Sequence, residues 1–134
     1  MTATEVGMVN LRDSALTLAD PRDEVTGMMV QDPQGNELGE VDGLIIDELE
    51  RRVRMLIVAS GGVMGIGQQK RLVPVETIIG VTDSIQVDRA HVDMQSDRAA
   101  YDPELTDFTD VYVDYGVPPF WAAPFSPVYF HHRT

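Results

Sequence analysis

The stretch VASGGVMGIGQQKRLVP, Val58 to Pro74, comes nearer than any other to a phosphate-binding loop. Gly61, Gly62, Gly65 and Gly67 follow an apolar run, and Lys70 and Arg71 come soon after. Closely spaced glycines let backbone amides converge on an anion, and a following helix adds its N-terminal dipole. A Walker-type loop requires GxxxxGK[ST] with a helix behind it. Here Gln68 and Gln69 separate Gly67 from Lys70, and Pro74 opposes a helix start. A dinucleotide fingerprint requires GxGxxG opening a helix, and GIGQQK stops at the second glycine. The residues therefore predict a glycine-rich hairpin, with Val63, Met64 and Ile66 folded beneath it.

The other groups capable of chemistry are acids and histidines. Asp102, Glu104, Asp107, Asp110 and Asp114 are spaced closely enough to collect calcium. An EF-type loop needs DxDxDG and a glutamate at the twelfth position, and neither is present, so these acids read as a solvated face. His131 and His132 form a pair that can take up transition metals weakly, but they lie beside the chain end, where order is poor. No serine has a matching histidine and acid, and the chain has no cysteine. Disulfides, thiolate metal sites and a cysteine nucleophile are thereby excluded. The expectation is a non-enzyme with no assigned catalytic, cofactor-binding or metal-binding residue. A ligand- or metal-binding alternative would need a closed pocket lined by His91 and the tail acids, or by Lys70 and Arg71.

The charge balance points the same way. Asp and Glu number 22 against 10 Lys and Arg, for a net charge of −12. Such a chain repels phosphate backbones and anionic lipid within a Debye length of roughly 8 Å. Nucleic acid is therefore an unfavoured partner. The small basic groups Arg51, Arg52 and Arg54, then Lys70 and Arg71, read as charges that solvate strand ends. No apolar run is long enough to span a bilayer. The first residues, MTATEVGMVNLRDSA, lack the basic and apolar regions of a secretory leader. With no cysteine, the composition suits the cytoplasm.

These side chains must be held by two chemically distinct segments. Every Phe, Tyr and Trp falls at or after Tyr101, and the prolines concentrate there too. The aliphatic body reads as short strands. VTGMMVQD leads into PQGN, where Pro33, Gly35 and Asn36 suit a hairpin turn. In ELGEVDGLIID the apolar positions Leu38, Val41, Leu44 and Ile46 change parity, which calls for a bulge at Gly39 or Gly43. RVRMLIVAS has a continuous apolar run from Met55 to Ala59, the mark of a strand buried on both faces. RLVPVETIIGV resumes the sheet with a helical turn near Glu76, and SIQVDR closes it. Leu16 and Leu18 suggest one more short strand before the body. AHVDMQSDRAAYDP is a polar connection with room for a helical turn. The segment DYGVPPFWAAPFSPVYF is too rich in proline for a helix and too apolar to float free. Burial of an aromatic side chain is worth about 1.5–3 kcal/mol. Tyr115, Phe120, Trp121, Phe125, Tyr129 and Phe130 are therefore the candidate interaction residues, docking on their own barrel, a second copy or another protein.

The body resembles the PRC-barrel family, which includes the cytoplasmic domain of the photosynthetic reaction-centre H subunit and the C-terminal domain of a ribosome maturation factor. The resemblance is carried by Gly27, Asp32, Gly35, Leu38, Gly39, Val41, Asp47, Val53, Arg54, Leu56, Val58, Val73 and Pro74. It is closest to free-standing bacterial members, with a GG-x-x-G-x-G hairpin at Gly61 to Gly67 and a tail matched at Tyr101 to Leu105 and Tyr115 to Trp121. Val63 stands where a larger aromatic is expected. The resemblance implies an all-β fold, a small antiparallel barrel of about six strands with an appended aromatic, proline-rich arm. The expected divisions are a lead over 1–14, the barrel over 15–90 and the arm over 91–134. The implied role is protein interaction or self-assembly, as a homodimer or larger homo-oligomer or with a separate protein partner. A ligand- or metal-binding barrel and a ribosome- or RNA-associated module are the alternatives.

Overall fold

A computed structural model describes residues 7–61, 69–88, 101, 108–116 and 121. Seven strands form one sheet: β1 (Met8–Asn10), β2 (Met29–Gln31), β3 (Glu37–Asp47), β4 (Val53–Ser60), β5 (Gln69–Pro74), β6 (Ile78–Val81) and β7 (Ile85–Val87). One helix, α1 (Phe108–Tyr115), follows. The sheet order is β5-β4-β3-β2-β7-β6, with β1 paired to the C-terminal end of β3. The fold is all-β in character, as expected, with α1 as an addition.

The continuous apolar run is the reason β4 lies between β3 and β5. Every residue from Val53 to Ala59 is buried, so both faces are covered. β5 and β6 stand at opposite ends of the strand order, yet three residues, Val75–Thr77 in a 3-10 turn, join them. A connection that short forces the sheet to curl until its ends approach, which makes a half-barrel with the aliphatic side chains inside. The helical turn expected near Glu76 is this connection.

The strand pairing is antiparallel except at β2 and β7, which run parallel with Val30 opposite Ile85. The sheet, expected as antiparallel, is so apart from this one pair. The crossover at Val75–Thr77 carries the β6–β7 hairpin to the far end of the sheet, where β7 meets β2 in the same direction.

The PQGN turn forms as its residues require. Gly35 takes φ +87°. The Asp32 carboxylate accepts from the backbone N–H of Gln34 at 3.0 Å and of Asn36 at 2.9 Å, and from Asn36 Nδ2 at 3.0 Å. The parity change in β3 is resolved by irregularities on both sides. Against β4 the register steps from Val41–Val58 to Gly43–Ile57, leaving Asp42 as the extra residue. Against β2 it steps across Leu38. Gly39 holds φ +156°, and a Cβ there would lie 2.5 Å from the Ala59 carbonyl oxygen. Gly39→Ala is expected to cost about 1–3 kcal/mol through backbone strain and this collision, measured by urea unfolding.

Two segments differ from expectation. Leu16 and Leu18 rest partly buried against the core, but they form no strand. The chain around them is shaped instead by 3-10 turns at Leu11–Asp13 and Pro21–Asp23, capped by Asn10 and Asp20. The arm forms α1 ahead of its proline-rich segment, in a stretch to which the sequence reading assigned no element. Phe108, Val111, Tyr112 and Tyr115 follow a helical i, i+3, i+4, i+7 spacing, and Gly116 at φ +70° ends the helix. The polar connection 90–103, apart from Tyr101, lies outside the described residues.

Candidate functional site

The glycine-rich stretch joins paired antiparallel strands, since Ser60 of β4 sits opposite Gln69 of β5. It is a hairpin connection and no helix follows it. Gly61 has φ +71°, and residues 62–68 lie outside the described residues. Lys70 and Arg71, adjacent on β5, do not share a site. Lys70 is exposed, and its Nζ pairs with Asp42 Oδ2 at 2.9 Å. Arg71 is 4% exposed, with its guanidinium on Gln69 Oε1 at 3.2 Å.

The bulge residue Asp42 helps to line a cleft of about 260 Å³, together with Gly43, Ile57, Asn10, Arg12, Asp13, Lys70 and Tyr101. Its polar groups are bound to one another. Arg12 Nη2 donates to the Asp42 carbonyl at 3.0 Å, and Asn10 Nδ2 donates to the Tyr101 hydroxyl at 3.3 Å. The Tyr101 backbone N–H donates to the Lys70 carbonyl at 3.0 Å. The cleft thus ties the N-terminal strand, the β3 bulge, β5 and the start of the arm together. The half-exposed Lys70–Asp42 pair is worth under about 1 kcal/mol.

A second polar cluster closes one end of the sheet. Asp47 is buried and accepts from the backbone N–H groups of Glu50 and Arg52 and from Arg54 Nε, the last at 2.7 Å. Arg54, 8% exposed, also reaches Glu50 Oε1 at 3.1 Å. Beside it, Arg52 Nε pairs with the buried Asp23 at 2.7 Å. Arg51 takes φ +57° in the turn and donates to Thr17. The reading of these three arginines as solvating charges is corrected for Arg52 and Arg54, whose guanidiniums turn onto acids. Burial pushes the Asp47 carboxyl up, but the Glu50 amide, Arg54 and the Arg52 amide together outweigh it and hold the carboxyl below its ordinary range. Glu76 is shifted the other way. Burial pushes its carboxyl up to about 7, against weaker lowering by its own backbone amide and by Arg54.

The aromatic arm supplies the last wall of the core. Val111, Tyr112 and Tyr115 are buried, and Tyr101, Phe108 and Trp121 are partly buried against the same cluster. The rings of Tyr112 and Trp121 meet edge to face, 5.8 Å apart at 85°. Of the candidate interaction residues, Tyr115 is thus in the core of its own chain and Trp121 lies against it. Phe120, Phe125, Tyr129 and Phe130 lie outside the described residues, as do His91, His131, His132, Asp102, Glu104 and Asp107. Sequence reading missed Phe108, Val111 and Tyr112, although their spacing carries the helical period.

Among the described residues, no group of three or more His, Asp and Glu side chains could hold a metal ion. No helix among them is long and apolar enough to cross a membrane. No curated protein matches the chain. The PRC-barrel domain family model matches residues 20–94, more than half of the sequence. That span runs from the 3-10 turn at Pro21–Asp23 through β7 and takes in strands β2 to β7 of the curled sheet. The chain belongs to the PRC-barrel domain family.

Proposed function

We propose that the chain is a non-enzymatic interaction module of the cytoplasm that self-associates through the outer face of α1. The observation that carries this reading is the division of that helix. Its inner side chains, Val111, Tyr112 and Tyr115, are buried on the sheet, while Val113 is left 70% exposed. The helix lies beyond residues 20–94, outside the span that matches the family domain. The cleft at Asp42 gives no comparable support to a ligand site, because its ion pair and hydrogen bonds join its own walls.

Val113→Lys tests the reading. The substitution is expected to leave stability within about 0.5 kcal/mol, since the side chain is exposed and a cation suits the C-terminal half of a helix. Light scattering at tens of micromolar is expected to find the unaltered chain as a dimer or larger assembly and Val113→Lys as a monomer. An unaltered chain that is monomeric, or a variant that keeps the assembled mass, would refute it.

A further inference from the structure

Glu76 occupies the middle of the Val75–Thr77 turn that joins β5 to β6. Both of its carboxylate oxygens are shielded from solvent, and neither has a hydrogen-bond partner among the described residues. Its neighbours Val75 and Thr77 are themselves buried. The Thr77 hydroxyl donates to the Pro74 carbonyl at 2.8 Å, and the Asp88 N–H donates to the Thr77 carbonyl at 2.9 Å. These bonds fasten the turn around a carboxyl whose oxygens are enclosed although the residue as a whole is partly exposed.

Burial favours a neutral carboxyl, and the one nearby cation only partly opposes it. From β4 comes Arg54, but its guanidinium already serves Asp47 and Glu50. Asp88, just past β7, meets the turn through its backbone N–H on Thr77 and brings no positive charge. An ionised Glu76 would be the third carboxylate drawing on one guanidinium, helped otherwise only weakly by its own backbone amide. A carboxyl that is buried with so little support takes a proton instead.

We propose that Glu76 is a proton-operated latch: neutral, it lets the turn stay closed on β4, and ionised, it opens the segment Val75 to Val81 so that water can hydrate it. The closed form binds one proton more than the open form between the ordinary carboxyl range and the raised value of about 7. The latch is therefore tightest in mild acid, loosens as pH rises through that window, and changes little further above it. It acts independently of the α1 surface.

Amide hydrogen exchange on the intact chain tests it. After correction for intrinsic chemistry, the opening constant of the amides of residues 75 to 81 is expected to rise roughly tenfold to a hundredfold between pH 5 and 8. Glu76→Gln, a neutral isostere, is expected to abolish that rise. Carbon-detected titration of Glu76 in the unaltered chain supplies a reading that needs no variant, with an expected midpoint of about 7. A midpoint in the ordinary carboxyl range overturns the proposal. So does a pH-independent opening constant, or a folded Glu76→Gln chain with an equal rise.

Discussion

Tyr112→Ala is expected to lower the free energy of unfolding by about 3–5 kcal/mol. Tyr112 is among the largest fully buried side chains, at 1% exposure, and its ring receives Trp121 edge to face. Truncation removes the transfer energy of the ring, leaves a cavity beside β5, and loses an aromatic pair worth about 0.5–1.5 kcal/mol of that total. Domains of this size have only about 5–15 kcal/mol in hand, so the variant should approach marginal stability at room temperature. Trp121 is the sole tryptophan, and its fluorescence therefore reports this seam directly. The expected signature is a red shift of the native emission together with a lower urea midpoint. A native emission and midpoint unchanged from the parent would mean that α1 contributes nothing to the core. Val113, on the same helix but exposed, gives the internal contrast.

The second large effect is expected at Asp47. Asp47→Asn should cost about 3–5 kcal/mol, because it leaves the Arg54 guanidinium nearly buried without its principal counter-charge. Glu50, the remaining partner, has a side chain 72% exposed and cannot replace a carboxylate inside the protein. The amide also presents one acceptor oxygen where the carboxylate offers two to Glu50, Arg52 and Arg54. Adding Arg54→Met to Asp47→Asn is expected to recover part of the loss, since removing both charges relieves the stranded one. The pH dependence follows from the sign of the shift. Asp47 has a folded value below its unfolded one, so its contribution is present above the ordinary carboxyl range and is lost as pH falls through the lowered value. Thermal melts of the unaltered chain should therefore weaken below about pH 4 through this group. Asp47→Asn should lack that component. Equal acid sensitivity in both chains, or a double variant no more stable than the single one, would count against the buried-pair account.

Much of the fold could be read from the order of residue types, because the features concerned are local. Five apolar residues from Met55 to Ala59 can be buried only where both faces of a strand are covered. Pro33, Gly35 and Asn36 dictate a turn through their own backbone preferences. The change of parity in β3 demanded an irregularity, and Asp42 and Gly39 mark where it falls. What escaped reading depends on distant partners or on short periods. Arg52 and Arg54 look like surface cations until the fold brings Asp23 and Asp47 to them. The eight residues of α1 carry little more than two turns of apolar period, and the prolines around them dominate a reading by composition. The parallel pairing of β2 with β7 follows from where the Val75–Thr77 crossover goes, and no single residue announces that. Glu76 is legible least of all. Its type suggests the surface, and only the closed turn reveals that both oxygens are enclosed.

The position of α1 in the chain also has a bearing on biosynthesis. Strands β1 to β7 are all translated before Val111, Tyr112 and Tyr115, the side chains that finish the core. While the ribosome is still adding those residues, the nascent sheet lacks the α1 side chains that pack against β5. That interval is when chaperones would find a greasy face to hold, and when two nascent chains could stick together. Maturation of the barrel in this sense waits on α1, which is made after every strand described above.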